Sequence, residues 1–269
     1  MNNLKKWIMI AVALLVIGGV GSLITFFTMK EYDIQENVTV DSVNISGLEV
    51  RLRNGKILMR ETDETQIRIE LTGKERNKSN VKLRVEEVGD KLLIEPSRTK
   101  APLFNIFSGF RSLHLSVYIP NRVLDSVQVD IQNGSLDVRQ LHVSNVRTTA
   151  DNAAIRLEKV DAETVNVKSN NRNIIFDHVT GELTGETKNG KIMMITDDLD
   201  QNIDFYTSNG SIQIDTGKEP TNAILDVRAN NGKVRVFEKQ DWTAAFGNGE
   251  HLIKLRANNG NITIEKTIH

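Results

Sequence analysis

An asparagine recurs through the second half of the chain at a near-constant interval, and glycine follows it in most copies. Seven copies are centred on Asn133, Asn152, Asn171, Asn189, Asn209, Asn231 and Asn259. The successive spacings are 19, 19, 18, 20, 22 and 28 residues. An earlier copy is centred on Asn54. Internal repetition at a fixed period is typical of stacked-repeat architectures, so this pattern limits the chain to few folds.

Apolar residues alternate with polar ones on both sides of each central asparagine. In the unit of Asn209, for example, Ile203 and Phe205 precede the centre and Ile212 and Ile214 follow it. A period of two predicts β-strands, so each unit is a strand, a tight turn and a strand. The residue two places before the centre is often small, as expected where a wall bends inward. Asn and Gly tolerate positive φ, which accounts for them at such a corner.

Two architectures accommodate these units. The first is an all-β, parallel β-helix-like solenoid, in which each repeat of about 19 residues forms one coil. The second is an antiparallel β-hairpin meander, because Asn-Gly is also a strong hairpin signal. Near-constant spacing and like residues at like positions favour the solenoid, since stacked coils require both. A β-sandwich with coincidental turns fits the spacing less well.

The region before the regular repeats contains shorter and less regular strands. The predicted strands are Val38 to Ile45, Gln66 to Leu71, Val81 to Val88, Lys91 to Glu95 and Leu113 to Ile119. An open solenoid end exposes unpaired strand edges, so these strands are expected to form a cap or early coils. We therefore divide one long domain, residues 30–269, into an irregular part (33–125) and a regular part (126–269).

The N-terminal segment from Trp7 to Met29 carries no charge. As a helix it would span about 34 Å, enough to cross a membrane core of roughly 30 Å. Lys5 and Lys6 precede it, which predicts a cytoplasmic tail (residues 1–6) and an extracytoplasmic domain. A cleaved signal peptide, with Gly19 to Gly21 near the cleavage site, is the competing interpretation. With no cysteine in the chain, a lipid-modified cysteine cannot be the anchor.

Two insertions interrupt the strand pattern. Ser97 to Arg111 carries Phe104, Phe107 and Phe110, which are candidates for contact with a partner or with the membrane surface. Packing of the same segment on the solenoid is the alternative. The second insertion, Glu238 to His251, carries Trp242 and Phe246, which are expected to pack against the final coils.

The sequence offers little for catalysis or metal binding. The five histidines show no metal-ligand spacing, and no nucleophile, phosphate-loop or dinucleotide motif occurs. The acidic cluster Asp197, Asp198 and Asp200 lacks the register of a calcium loop and is interpreted as a turn. We therefore predict no enzyme, no catalytic residues, no metal and no cofactor. A polysaccharide-processing enzyme is the weakest alternative, because the outward columns lack clustered carboxylates.

The charge of the exported part excludes a further class. Beyond residue 30 the chain has 31 basic and 35 acidic side chains, a net charge of −4. A nucleic-acid-binding domain usually has a strong basic excess, so no nucleic-acid partner is expected.

The stretch from Leu113 to Val138, LHLSVYIPNRVLDSVQVDIQNGSLDV, followed by asparagine-centred repeats, resembles a known bacterial family. This is the "putative adhesin" family of β-strand repeat domains, whose function is unknown. An anchor joined directly to such a domain is similar to the LiaG-like membrane-anchored members. The resemblance covers most of residues 40–269 and implies a β-solenoid facing the bacterial cell envelope, with no catalytic residues to transfer.

These observations predict a single-pass membrane protein whose extracytoplasmic solenoid is an adhesin-like interaction or scaffold module of the cell envelope. Its expected partners are envelope proteins or wall polymers, since solenoids present long regular walls. The alternative is an accessory regulator of a cell-envelope stress response that acts through a membrane partner.

Overall fold

The computed structural model describes residues 3–28, 32–75, 81–98, 113–237 and 243–267. These residues form one α-helix, α1 (Asn3–Thr28), followed only by strands. The strands are β1 (Tyr32–Asp41), β2 (Gly47–Thr62), β3 (Gln66–Glu75), β4 (Val81–Val88), β5 (Lys91–Arg98), β6 (Leu113–Pro120), β7 (Leu124–Ser169), β8 (Ile174–Asp177), β9 (Thr180–Thr187), β10 (Ile192–Thr196), β11 (Ile203–Asn209), β12 (Ile212–Thr216), β13 (Ala223–Asn231), β14 (Val234–Val236), β15 (Thr243–Ala245), β16 (His251–Asn259) and β17 (Ile262–Lys266).

The helix α1 is apolar on all sides, and its described side chains, residues 5–22, are exposed. Its segment Lys5–Ser22 has a mean hydropathy of 1.6 and is 0% buried. Length and composition therefore suit a membrane crossing, and a signal sequence has the same properties. The predicted apolar helix is confirmed.

Successive repeat units stack in parallel and in register. The first unit, in β2, lies beside the next one, in β7, with Asn54 opposite Asn133 and Ile57 opposite Leu136. The 46-residue strand β7 contains the asparagine corners Asn133 and Asn152 and the positive-φ residues Gln140 and Lys159, so it turns through four corners. The result is a largely parallel, strongly curled, solenoid-like sheet. Parallel pairing between units is what the solenoid requires, and the antiparallel meander does not have it.

The stack has two walls that share one core. Wall A contains the strands before each corner asparagine (β9, β11, β13, β16 and the matching parts of β2 and β7), together with β5, which pairs with the first part of β2. Wall B contains the strands after it (β8, β10, β12, β14, β17 and the remaining parts of β2 and β7), together with β6, which pairs with the second part of β2. The predicted inward residues line the interior, and Ile174 and Phe205 are both 0% exposed. Phe176 and Phe205 stack with centroids 4.9 Å apart.

Antiparallel strands close the N-terminal end of the stack. On wall B, β3 pairs with β6 and β1 pairs with β3 along ten positions. On wall A, the hairpin β4–β5 lies beside β2. The five predicted strands are present, although the first begins at Tyr32 and ends at Asp41. Its full length is set by its pairing with β3.

The last units do not stack in chain order. Three units are involved: the Asn209 unit (β11 and β12), the Asn231 unit (β13 and β14) and the Asn259 unit (β16 and β17). Strand β16 lies between β11 and β13, and β17 lies between β12 and β14. The Asn259 unit is thus inserted between two units that precede it in the sequence. This insertion explains the long spacings of 22 and 28 residues, because the chain leaves one position open and later returns to fill it.

Candidate interaction surfaces

The corner asparagines form a continuous amide ladder along the stack. Seven hydrogen bonds of 2.8–3.0 Å join the eight asparagines, and in each of them a side-chain Nδ2 donates to the Oδ1 of the preceding asparagine in the ladder. The order along the ladder is Asn54, Asn133, Asn152, Asn171, Asn189, Asn209, Asn259 and Asn231. Such ladders stabilise stacked parallel strands because each amide both donates and accepts.

The ladder corrects the backbone explanation for these asparagines. Among the described non-glycine residues, positive φ occurs at Gln140, Lys159, His178 and Phe237, and at none of the corner asparagines. Tolerance of positive φ is therefore the wrong reason for Asn at this corner. Its side-chain amide is the property used.

Glycine follows the asparagine because the backbones of neighbouring corners approach closely. A Cβ atom on Gly210 would lie 1.9 Å from the carbonyl oxygen of Gly190, and one on Gly134 would lie 1.7 Å from that of Gly55. No side chain fits at such distances. The residue two places before the asparagine also contributes a hydrogen bond at this corner. In the Asn209 unit this residue is Thr207, whose hydroxyl donates to the Gly190 carbonyl oxygen at 3.0 Å.

The outward faces of both walls carry charged side chains, several of which pair with one another. On wall A, Arg256 donates to Asp204 at 2.8 Å, and the Tyr206 hydroxyl accepts a hydrogen bond from Asn258 at 2.8 Å. On wall B, the guanidinium of Arg68 lies 3.9 Å from the ring centroid of Tyr118. The hydrogen bond from Arg68 also lowers the pKa of Glu64. These faces are polar and regular, and part of their charge is already paired within the fold.

The acidic cluster lies in the connection between β10 and β11, where the Asp197 side chain is exposed and Asp200 is partly buried. The Asp200 carboxylate accepts hydrogen bonds from the backbone N–H groups of Thr221 and Asn222 at 2.8 and 2.9 Å, and one from the Thr221 hydroxyl. Desolvation alone would raise the pKa of Asp200, but these hydrogen bonds outweigh it and lower the pKa. Asp200 thereby fastens the connection that leads into the Asn231 unit.

The lowered pKa of Asp200 predicts a pH-dependent contribution to stability. A carboxyl group whose pKa falls on folding stabilises the protein above its unfolded pKa and loses that effect as the pH falls. We expect Asp200→Asn to lower the Tm at pH 7 by about 2–4 °C, with the difference from wild type shrinking between about pH 5 and pH 3. Asp197→Asn is the control, because the Asp197 side chain is 90% exposed. Thermal melts of both variants across this pH range test the prediction, and a pH-independent difference would contradict it.

Among the described residues, His142 and His178 each lie within hydrogen-bonding distance of an acidic side chain. The sequence spacing did not indicate the contact of His142. His142 Nδ1 lies 2.7 Å from a Glu61 oxygen, 81 positions away, because the first two coils are stacked. His178 Nδ1 lies 2.7 Å from the adjacent Asp177. Within the described ranges, His, Asp and Glu side chains form no group of three or more able to hold a metal ion.

A cavity of about 690 Å³ opens on wall A near the N-terminal end of the stack. Charged residues of both signs line it, including Arg51, Arg53, Glu95 and Asp130, together with the apolar side chain of Leu113. The mixed lining gives it no evident selectivity for one class of ligand.

The predicted contact residues Phe104, Phe107 and Phe110 lie outside the described residues, as does Trp242. Phe246, in the second insertion, is half-buried and packs against the core, which confirms that part of the prediction.

The match to a known protein family spans the repeat units. A family model described as Toastrack DUF4097 matches residues 45–180 and 155–265. Similar solved structures include a "putative adhesin" from Bacteroides fragilis (12% identity, 89% of this chain and 99% of that chain, TM-score 0.48). Others are a "putative adhesin" from Parabacteroides distasonis (10%, 89% and 98%, TM-score 0.44) and a "putative cell adhesion protein" from Clostridium sporogenes (13%, 88% and 100%, TM-score 0.38). No curated protein matches the sequence.

Proposed function

This chain belongs to the Toastrack DUF4097 family, and we propose that it is a membrane-anchored module that binds an envelope protein or a wall polymer. The observation that carries the proposal is the pair of long, regular walls built from strands stacked in register. Long regular surfaces of this kind suit contact with a large partner. Binding, and not catalysis, is the role we assign to this domain.

The anchor in this proposal is the apolar helix. Residues 7–29 cross the membrane, residues 1–6 remain in the cytoplasm and residues 30–269 lie outside, as in a LiaG-like protein. The support is the unburied helix α1 and the two lysines, Lys5 and Lys6, that precede its apolar core.

The cysteine-free sequence allows a direct test of this topology. Single variants Asn2→Cys and Asn166→Cys are treated with a membrane-impermeant maleimide on intact cells, and the mass of the mature chain is measured. We expect labelling of Asn166→Cys only and a full-length chain. Loss of the first residues, or labelling of Asn2→Cys alone, would contradict the anchor or its orientation.

Binding is tested with photo-crosslinking residues placed on the outward faces. Asn166 lies on wall A and Gln213 on wall B. The residues on either side of each position are buried in the core, so both positions face outward. In cells, we expect at least one of these positions to give a discrete crosslink to an envelope protein, or the purified full chain to sediment with isolated cell wall. An absence of both results would contradict an interaction module.

The second candidate function is regulation of an envelope stress response through a membrane partner. The short link favours it, because α1 ends at Thr28 and β1 begins at Tyr32, which keeps the domain near the membrane surface. Ten Gly and Ser residues inserted after Met29 should then change a stress reporter without changing the Tm. Replacement of Phe104, Phe107 and Phe110 by serine should have the same effect if that segment makes the contact. An unchanged reporter in both variants would argue against regulation.

A further inference from the structure

The two C-terminal units carry the same pentapeptide at the same corner. Arg-Ala-Asn-Asn-Gly occupies residues 228–232 in the Asn231 unit and 256–260 in the Asn259 unit. Their inward residues are also alike in type: Leu225, Val227, Val234 and Val236 in one, and Ile253, Leu255, Ile262 and Ile264 in the other. The later of the two occupies the position beside the Asn209 unit.

The side chains that hold the inserted unit in this position are duplicated in its neighbour. Three hydrogen bonds from this pentapeptide reach the Asn209 unit, with donors Arg256, Asn258 and Asn259 and acceptors Asp204, Tyr206 and Asn209. The Asn231 unit has the same three donors at the equivalent positions: Arg228, Asn230 and Asn231. It could therefore make the same bonds if it lay beside the Asn209 unit.

The corner backbone is equally compatible with either unit. A Cβ on Gly260 would lie 1.7 Å from the Gly210 carbonyl oxygen, so the residue above Gly210 must be glycine. The Asn231 unit supplies Gly232 at that place, where it already stacks on Gly260 with the same closeness. Neither the amide ladder nor the glycine corner therefore distinguishes between the two units.

We propose that the position beside the Asn209 unit is a slot that either C-terminal unit occupies, which gives the protein two stacking orders. In the observed order the Asn259 unit is inside and the Asn231 unit is outermost. In the alternative order the units follow the chain, and the Asn259 unit is outermost. The order decides which unit is outermost at that end of the stack, where β15 covers three positions of β13 in the observed order.

A column of charges on wall A selects the observed order. Lys254 lies between Asp204 and Asp226, as the lateral neighbour of both. Exchange of the two units would place Asp226 against Asp204, and like charges directly opposite on neighbouring strands are destabilising. Packing acts in the same direction, because Leu255 fills more space beside Phe205 than Val227 would.

The connection between the two units is long enough for both orders. Thirteen residues separate Phe237 from His251, whereas six separate Thr196 from Ile203 in the preceding coil. Within the connection, β15 pairs with the start of β13 at three positions. These pairs must open for the exchange, so the two orders are separated by a barrier.

Pairs of introduced cysteines distinguish the two orders in this cysteine-free chain. Gln213 is the direct lateral neighbour of Thr263, and adjacent strands about 4.8 Å apart are within disulfide reach. Arg235 is two strands from Gln213, roughly 10 Å, and comes within reach only in the alternative order. The full chain carrying Gln213→Cys with Thr263→Cys, or with Arg235→Cys, is oxidised, and the intrachain disulfide is measured by non-reducing electrophoresis and peptide mapping.

With the native charges we expect the 213–263 disulfide to dominate. Exchange of the charges by Asp226→Lys with Lys254→Asp should favour the 213–235 disulfide, with a change of about tenfold or more in the ratio of the two. Asp204→Lys alone should shift the ratio in the same direction, because it repels Lys254 and attracts Asp226. It serves as the independent variant if the double exchange does not fold, as judged by circular dichroism. Failure of the 213–235 disulfide to form in the folded variants, or its formation only between two chains, would overturn the proposal.

Discussion

Replacement of Ile174 by aspartate is expected to lower the free energy of unfolding by about 4 kcal/mol or to prevent folding altogether. Ile174 is 0% exposed and lies in the interior column of wall B, between the coils before and after it. A carboxylate there would be desolvated with no cationic partner inside the stack. Thermal and denaturant unfolding of the full chain in detergent measures the effect.

The adjacent residue provides a matched control for this prediction. Ile175 is the same residue type in the same strand, but it faces outward and is only partly buried. Ile175→Asp should change the free energy of unfolding by less than about 1 kcal/mol. Equal effects at the two positions would show that the assignment of inward and outward faces is wrong.

Replacement of Gly210 by alanine should destabilise the fold by about 3 kcal/mol, although it adds a single methyl group. The new Cβ would lie 1.9 Å from the Gly190 carbonyl oxygen, which belongs to the backbone of the next coil. Relief of this overlap requires the two corners to separate. That separation would also stretch the side-chain hydrogen bond between Asn209 and Asn189. The unfolding midpoint in urea tests this expectation.

Ser211→Ala is the control for the glycine substitution. Ser211 adjoins Gly210 and is partly exposed, so its replacement should leave the free energy of unfolding within about 0.5 kcal/mol of wild type. If Gly210→Ala is as mild as Ser211→Ala, close backbone approach is not what requires glycine at this corner.

The repeat made most of the coil architecture predictable. Period-two alternation identified inward residues such as Phe205 and Ile214, and the constant spacing indicated that they stack. The second corner of each coil was not predictable, because Gln140, Lys159 and His178 adopt positive φ there without being glycine. Such positions depend on the packing of the coil and leave no signal in residue type.

The stacking order of the last coils could not be predicted from the sequence either. The 28-residue spacing before Asn259 marked an insertion, but a long connection fits a loop as well as a return into an earlier gap. The pairing of His142 with Glu61 was missed for a related reason, since it depends on which coils are neighbours. Contacts between units therefore follow from three-dimensional order, which a repeat alignment does not contain.

The inserted Asn259 unit has a consequence for biosynthesis. A solenoid wound in chain order can be completed coil by coil as it is synthesised, because each new coil adds to a finished edge. Here residues 251–267 are synthesised after both coils that they separate, and in the observed order β14 pairs with β17. The observed order is therefore reached only after residues 251–267 have been synthesised, and a chain interrupted before residue 251 cannot adopt it.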